Sequence, residues 1–279
     1  MSTIAKMLWV LESRSREPLS LDDLVQVTGK SSTYLSRVFP LATGYSITGY
    51  LRARRLSEAA RALAAGAPDI LTVALDAGYS SHEAFTRAFS NQFGITPELL
   101  RRRRSLDNLS LLEPHRMDTH TEITLLPPKV ENRTAMRFAG ISKRHQMSHA
   151  AGIPAQWQKF QPWIGNIDGS LGDAAFGIVS NTGADCDDFE YIVAVQVRRD
   201  ASLPTELTTT NIPKRRWARF THSGDVTSLR STIAAAADWL SEAGLEPSAE
   251  PYSFLEYYGS KFDPQNGTGD VEVWFGLKG

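Results

Sequence analysis

Residues 70–101, ILTVALDAGYSSHEAFTRAFSNQFGITPELLR, constrain the fold of this 279-residue chain more than any other stretch. Val73, Ala74 and Ala77 mark the apolar side of a short helix, and Gly78 supplies the positive φ that a tight turn requires. Ser80 or Ser81 can cap a second helix. In it Phe85, Phe89 and the following Phe93 recur at helical spacing and face inward. His82, Glu83, Thr86 and Arg87 are left on the outward side, at the helix's N-terminal end. Such an arrangement presents base-reading side chains to the major groove of DNA.

The same pattern occurs earlier in the chain. Ile4, Met7, Leu8 and Leu11 give a first amphipathic helix, and Ser20 can cap a second with Leu21, Leu24 and Val25 inward. Gly29 makes a turn. Ser31 or Ser32 then opens a helix with Leu35, Val38 and Phe39 inward and Thr33, Ser36 and Arg37 outward. Arg37 is the side chain there best able to read a guanine bidentately. A long helix from about Ser46 to Ala65 connects the two helix-turn-helix units. At about 1.5 Å per residue it spans roughly 30 Å, close to the ~34 Å turn of B-DNA. Arg52, Arg54 and Arg55 lie on it, and most of this cationic run is expected on a solvated face with Glu58. Arg101–Arg104 can hold phosphates or keep a helix end soluble. Phosphate contact is preferred, with Arg102 and Arg103 as the candidates.

Ala74, Gly78-Tyr79, Phe85-Thr86-Arg87-Ala88-Phe89 and Gly94-Ile95-Thr96-Pro97 stand in the register of the AraC/XylS transcription regulators, and on this segment the chain is identified as a member of that family. Pro40 stands where the family usually has a basic residue, and is expected to shorten its helix and remove a phosphate contact.

Charge separates the two parts. Residues 1–108 carry 14 basic and 10 acidic side chains, the remainder 16 and 21, so only the front half suits a polyanion. One cysteine, Cys186, excludes an internal disulfide and suits a reducing compartment. With no signal pattern and no 18-residue apolar run, a cytoplasmic protein without a membrane partner is expected.

Residues 109–122 read as a linker containing Pro114 and two histidines, His115 and His120, without companions at metal spacing. Beyond it the pattern changes to strands at Ile123–Leu126, Arg137–Ile141, Phe176–Ser180 and Tyr191–Val197, with a helix from His145 to Trp163 interrupted near Pro154. A second series follows: strand Arg216–Thr221, helix Ser228–Ala243, and strands Ser253–Tyr258 and Val271–Leu277. The fold class expected is an all-α double helix-turn-helix domain (1–108) followed by an α+β domain (123–279) of two strand-helix-strand-strand repeats.

Alternation groups Phe254, Glu256 and Tyr258 on one strand face, and Glu272 with Trp274 on one face of the last strand. Aromatics beside an isolated carboxylate suit a cationic or amphipathic aromatic ligand. Glu272 is the first candidate and Glu256 the second, and the two strand faces are expected to share one pocket. Tyr191, Trp217 and Trp157 are further candidate lining residues, for each of which core packing is the competing reading. Phe220-Thr221-His222-Ser223-Gly224, Leu255-Glu256-Tyr257-Tyr258 and Val271-Glu272-Val273-Trp274-Phe275 resemble the GyrI-like small-molecule-binding domain. That resemblance implies a pocket glutamate for cationic, hydrophobic compounds. Gly276 departs from the proline usual in that family.

The leading expectation is a one-component regulator with double-stranded DNA, a small-molecule effector and RNA polymerase as partners, and with no cofactor, metal or catalytic residue. Two alternatives stand beside it. One is hydrolysis by a glutamate–tyrosine pair, such as Glu272 with Tyr258 or Tyr252. The other is a C-terminal domain that mediates protein contacts.

Overall fold

The computed structural model describes residues 2–114, 125–146, 152–180, 188–248 and 252–278. Thr3–Leu35 and Ile47–Thr119 form one compact unit, and Ser36–Ser46 and His120–Gly279 a second. Cys186, His115 and His120 lie outside the described residues, as do residues 115–122 of the expected linker.

Seven helices precede the sheet among the described residues: α1 (Thr3–Ser13), α2 (Leu21–Thr28), α3 (Ser32–Thr43), α4 (Ile47–Ala64), α5 (Ile70–Asp76), α6 (His82–Phe93) and α7 (Pro97–Arg103). Their ends follow from local chemistry. Ser20 and Asp23 close a capping box on α2. Ser81 Oγ accepts from Ala84 N at 3.2 Å to start α6, and Gly94 ends that helix at φ 70°. Leu56, Ala60 and Leu63 of α4 pack with Val73 and Ala74 of α5, Phe85 and Phe89 of α6, and Leu100 of α7.

Three local expectations are corrected in this half. Pro40 does not shorten its helix, because α3 continues to Thr43. Arg54 is not on a solvated face: it is 5% exposed. It pairs with Glu12 at 3.0 Å and Glu58 at 3.2 Å and donates to Leu112 O at 2.9 Å. A buried guanidinium needs such a set of acceptors. The chain after α7 also stays with the helices for a time. Leu106, Leu109 and Leu111 pack against their core, and Leu112 N donates to Ser57 Oγ at 2.9 Å.

From residue 125 onward the described residues hold eight strands and two α-helices. They are β1 (Lys129–Arg133), β2 (Met136–Gln146), α8 (Ile153–Phe160), β3 (Ser170–Ser180), β4 (Asp188–Val197), β5 (Thr208–Ile212), β6 (Arg215–His222), α9 (Leu229–Glu242), β7 (Phe254–Tyr258) and β8 (Val271–Leu277). The strands form one antiparallel sheet in the order β1-β6-β8-β7-β3-β4-β2-β5. Read from either edge the order is the same once β1–β4 are exchanged for β5–β8, so a pseudo-twofold axis passes between β7 and β3. The repeat is strand-strand-helix-strand-strand, one strand longer than expected. Each half's first strand pairs within the other half: β1 on β6 and β5 on β2.

Two boundaries differ from the sequence reading. Residues 125–128 are irregular and the first strand begins at Lys129. The helix expected from His145 starts only at Ile153, because His145 belongs to β2, where it opposes Phe189. Pro154 sits in the first turn of α8, where its missing N–H has no partner to lose. It starts the helix and does not interrupt one.

The sheet has two distinct faces. On one, Phe160 of α8 and Leu229, Ile233, Ala236 and Leu240 of α9 pack on Tyr191, Val193, Phe254, Val273 and Phe275. On the other, Phe138, Phe176, Ile192, Trp217, Leu255 and Trp274 form a separate cluster.

Candidate functional site

Cross-strand register decides which residues share a face. Glu256 on β7 opposes Gly177 on β3 and Val273 on β8, whereas Glu272 opposes Tyr257. Directly opposed residues project to the same side of a sheet. Glu256, Phe254, Tyr258 and Tyr191 therefore gather on the face that carries the helices. Glu272, Trp274 and Trp217 occupy the other.

The Glu256 group is tightly built. Tyr191 Oη donates to Glu256 Oε2 at 2.5 Å and Tyr258 Oη donates to the same oxygen at 3.0 Å. Trp157 Nε1 donates in turn to Tyr191 Oη at 3.1 Å. No hydrogen bond falls on Glu256 Oε1 among the described residues, and the residue keeps part of its surface open. Burial pushes the Glu256 carboxyl above its ordinary 4.5, against the lowering effect of the two phenols and of Arg230. Burial and the nearby carboxylate hold both phenols well above 10, so they stay protonated donors.

Neighbouring residues make this geometry possible. Gln156 of α8, 5% exposed, donates to Ile141 O at 3.0 Å and Tyr191 O at 2.8 Å and meets His145 Nε2 at 2.7 Å. These bonds pin α8 to β2 and β4 and set Trp157 beside Tyr191 and Tyr258, with the Trp157 and Tyr258 ring centroids 4.8 Å apart. At Gly177 a Cβ would fall 2.2 Å from Tyr191 Oη and 2.5 Å from Glu256 Oε2. The glycine leaves room for the carboxylate–phenol pair. A glycine inside an apolar strand is the sequence signal for such close approach. For Gln156 the sequence offers no signal.

Glu272 does not face this group, which corrects the expectation of one shared pocket. Arg219 grips it with two bonds, Nε to Oε2 at 2.8 Å and Nη2 to Oε1 at 3.0 Å, and Trp274 Nε1 donates at 2.6 Å. Arg219 also donates to Glu131 Oε1 at 2.9 Å. Arg133 and Arg219 hold the Glu131 carboxyl down at about 2. Trp274 lies under the guanidinium carbons of Arg133 and Arg219 at 4.7 and 4.5 Å. Trp217 is fully buried in the same cluster.

The helical half presents the residues named for DNA. His82, Glu83 and Arg87 on α6, Thr33 on α3, and Arg102 and Arg103 at the end of α7 are exposed. Arg37 is half-buried. Two residues expected outward are not. Ser36 is 7% exposed, and Thr86 Oγ1 is buried without a hydrogen-bond partner among the described residues. Each stands three positions before an inward phenylalanine, Phe39 or Phe89, and so on the flank of the apolar stripe. Among the described residues no helix is long and apolar enough to cross a membrane.

Residues 126–278 match the family described as the GyrI-like small molecule binding domain, and residues 24–103 match a helix-turn-helix domain. The chain is 41% identical over 115 residues to the transcriptional regulator Rob of Salmonella typhimurium, covering 41% of this chain and 39% of that protein. It is 34% identical over 114 residues to the transcriptional activator AarP of Providencia stuartii, covering 40% of this chain and 84% of that one. A solved structure of SAV2435 bound to tetraphenylphosphonium is 15% identical, with a TM-score of 0.42 over 55% of this chain and 95% of that one.

Proposed function

The chain belongs to the GyrI-like small-molecule-binding family and carries a helix-turn-helix module of the AraC/XylS type; from that premise we propose a one-component transcription regulator whose effector is a lipophilic organic cation. The observation that carries the reading is Glu256. The residue keeps part of its surface open, two phenols fix one of its carboxylate oxygens, and aromatic rings surround it. A cation with an apolar body can pair with such a carboxylate and lie against the rings. α6 and α3 serve DNA, with Arg87 and Arg37 as base readers, and RNA polymerase is the partner through which the DNA-bound regulator acts.

Titration of the full chain with tetraphenylphosphonium and with neutral triphenylphosphine oxide tests the effector reading. Glu256→Gln keeps the shape and removes the charge. It is expected to weaken the phosphonium about ten-fold, or ~1.4 kcal/mol, and to leave the oxide unchanged. Glu272→Gln is expected to change neither. Equal phosphonium affinity in wild type and Glu256→Gln removes the basis of the proposal. The hydrolytic alternative cannot use Glu272 with Tyr258, which lie on opposite faces of the sheet; the pair it would need is Glu256 with Tyr258 or Tyr191. A chain that consumes an ester analogue, and stops doing so in Glu256→Gln, is an enzyme.

A further inference from the structure

The helical unit contains a cleft of about 660 Å³, bounded by the chain leading into α2, the first half of α4 and the turn between α5 and α6. Pro18, Leu51 and Ala77 give it an apolar side, and Arg52, Arg55 and Tyr79 a polar one. The size is that of a small-molecule site.

The polar side is preorganised. Arg55 donates Nε to Ser15 O at 2.6 Å and Nη2 to Glu17 O at 2.7 Å. Backbone carbonyls thus hold this guanidinium, and no carboxylate pairs with it among the described residues. Asp23, the acid at the cleft, is already engaged by Ser20 N at 2.8 Å and by Ser20 Oγ at 2.6 Å. The Tyr79 hydroxyl is buried and has no hydrogen-bond partner among the described residues. Burial raises its pKa while Arg52 and Arg55 act the other way, so the phenol remains a donor within the field of both cations. A buried donor beside a guanidinium held only by carbonyls is satisfied by an oxyanion.

The geometry points to a second ligand site, in the helical half, for an amphipathic oxyanion such as an aryl carboxylate. Its carboxylate meets Arg55, Arg52 and the Tyr79 hydroxyl, and its ring lies against Leu51 and Pro18. The occupant bridges the segment entering α2 and the turn entering α6. This site does not depend on the reading of Glu256.

The test uses the full chain and fluorine NMR with 4-(trifluoromethyl)benzoate, with the neutral benzamide as control. The benzoate is expected to bind wild type about ten-fold more tightly than Arg52→Gln and several-fold more tightly than Tyr79→Phe. Tyr79→Phe removes one oxygen and keeps the ring's packing on Phe85, at 5.6 Å. Glu256→Gln is expected to bind the benzoate as wild type does. Absence of binding to wild type, or equal affinity in wild type and both cleft variants, overturns the site. Displacement of the benzoate by a short scrambled duplex at low salt assigns the cationic wall to backbone phosphate and overturns it as well.

Discussion

Glu256 and Glu272 sit on adjacent strands, and their surroundings divide what a half-buried carboxylate can do. Glu272 is matched by Arg219 and Trp274 and serves the sheet. Glu256 takes its hydrogen bonds from phenols, and burial keeps its pKa above 4.5 against the opposing field of Arg230. In the folded chain it therefore holds its proton to a higher pH than in the unfolded chain, and its ionisation destabilises the fold as pH rises through the raised value. Glu256→Gln is expected to melt higher than wild type at about pH 8, with the difference vanishing as pH falls toward 4.5. Phosphonium affinity in wild type is expected to fall over the same acid range. A melting difference that is the same at both ends shows that the carboxyl is not perturbed. Strand alternation tells each glutamate's neighbours on its own strand. It cannot tell which faces of two strands coincide, because that depends on register, and a one-residue slip reverses every side chain.

At the scale of elements, helices are more legible than strands, for a physical reason. Caps and glycines that end a helix lie within a few residues of it, as Ser81 and Gly94 do for α6. A strand's limits are set by partners far away, as with β2, whose extension to Gln146 follows from its pairing with β4. The short β5, TTTNI, carries little apolar signal and leaves no readable trace in the sequence. The helices also separate two kinds of DNA contact. Arg87 lies on the front half of α6, so Arg87→Ala is expected to weaken a selected site by about 1–3 kcal/mol and a scrambled duplex much less. Arg102→Ala with Arg103→Ala, on the last turn of α7, is expected to weaken both duplexes alike and flatten the salt dependence. Equal losses on both duplexes for Arg87→Ala make it a phosphate contact.

For the sheet as a whole, the exchange of β1 and β5 between the halves means that neither half closes its own edge. Replacing residues 129–133 with a Gly/Ser segment in the full chain removes the ladder to β6 and the Glu131–Arg219 bond. A drop in Tm of roughly 10–20 °C is expected, from about five lost hydrogen bonds at about 1 kcal/mol each and about 2–4 °C per kcal/mol. An unchanged Tm makes β1 dispensable. The exchange is hidden from the sequence because pairing between distant segments leaves no local pattern. It also sets a timetable for synthesis. Lys129 leaves the ribosome long before its partner Arg219, and at about 5–20 residues per second the wait is roughly 5–18 s. During it β1 is a strand with nowhere to go. Its composition, KVENR, suits that interval, since a short strand with three charges and a single apolar residue is a poor template for another nascent chain.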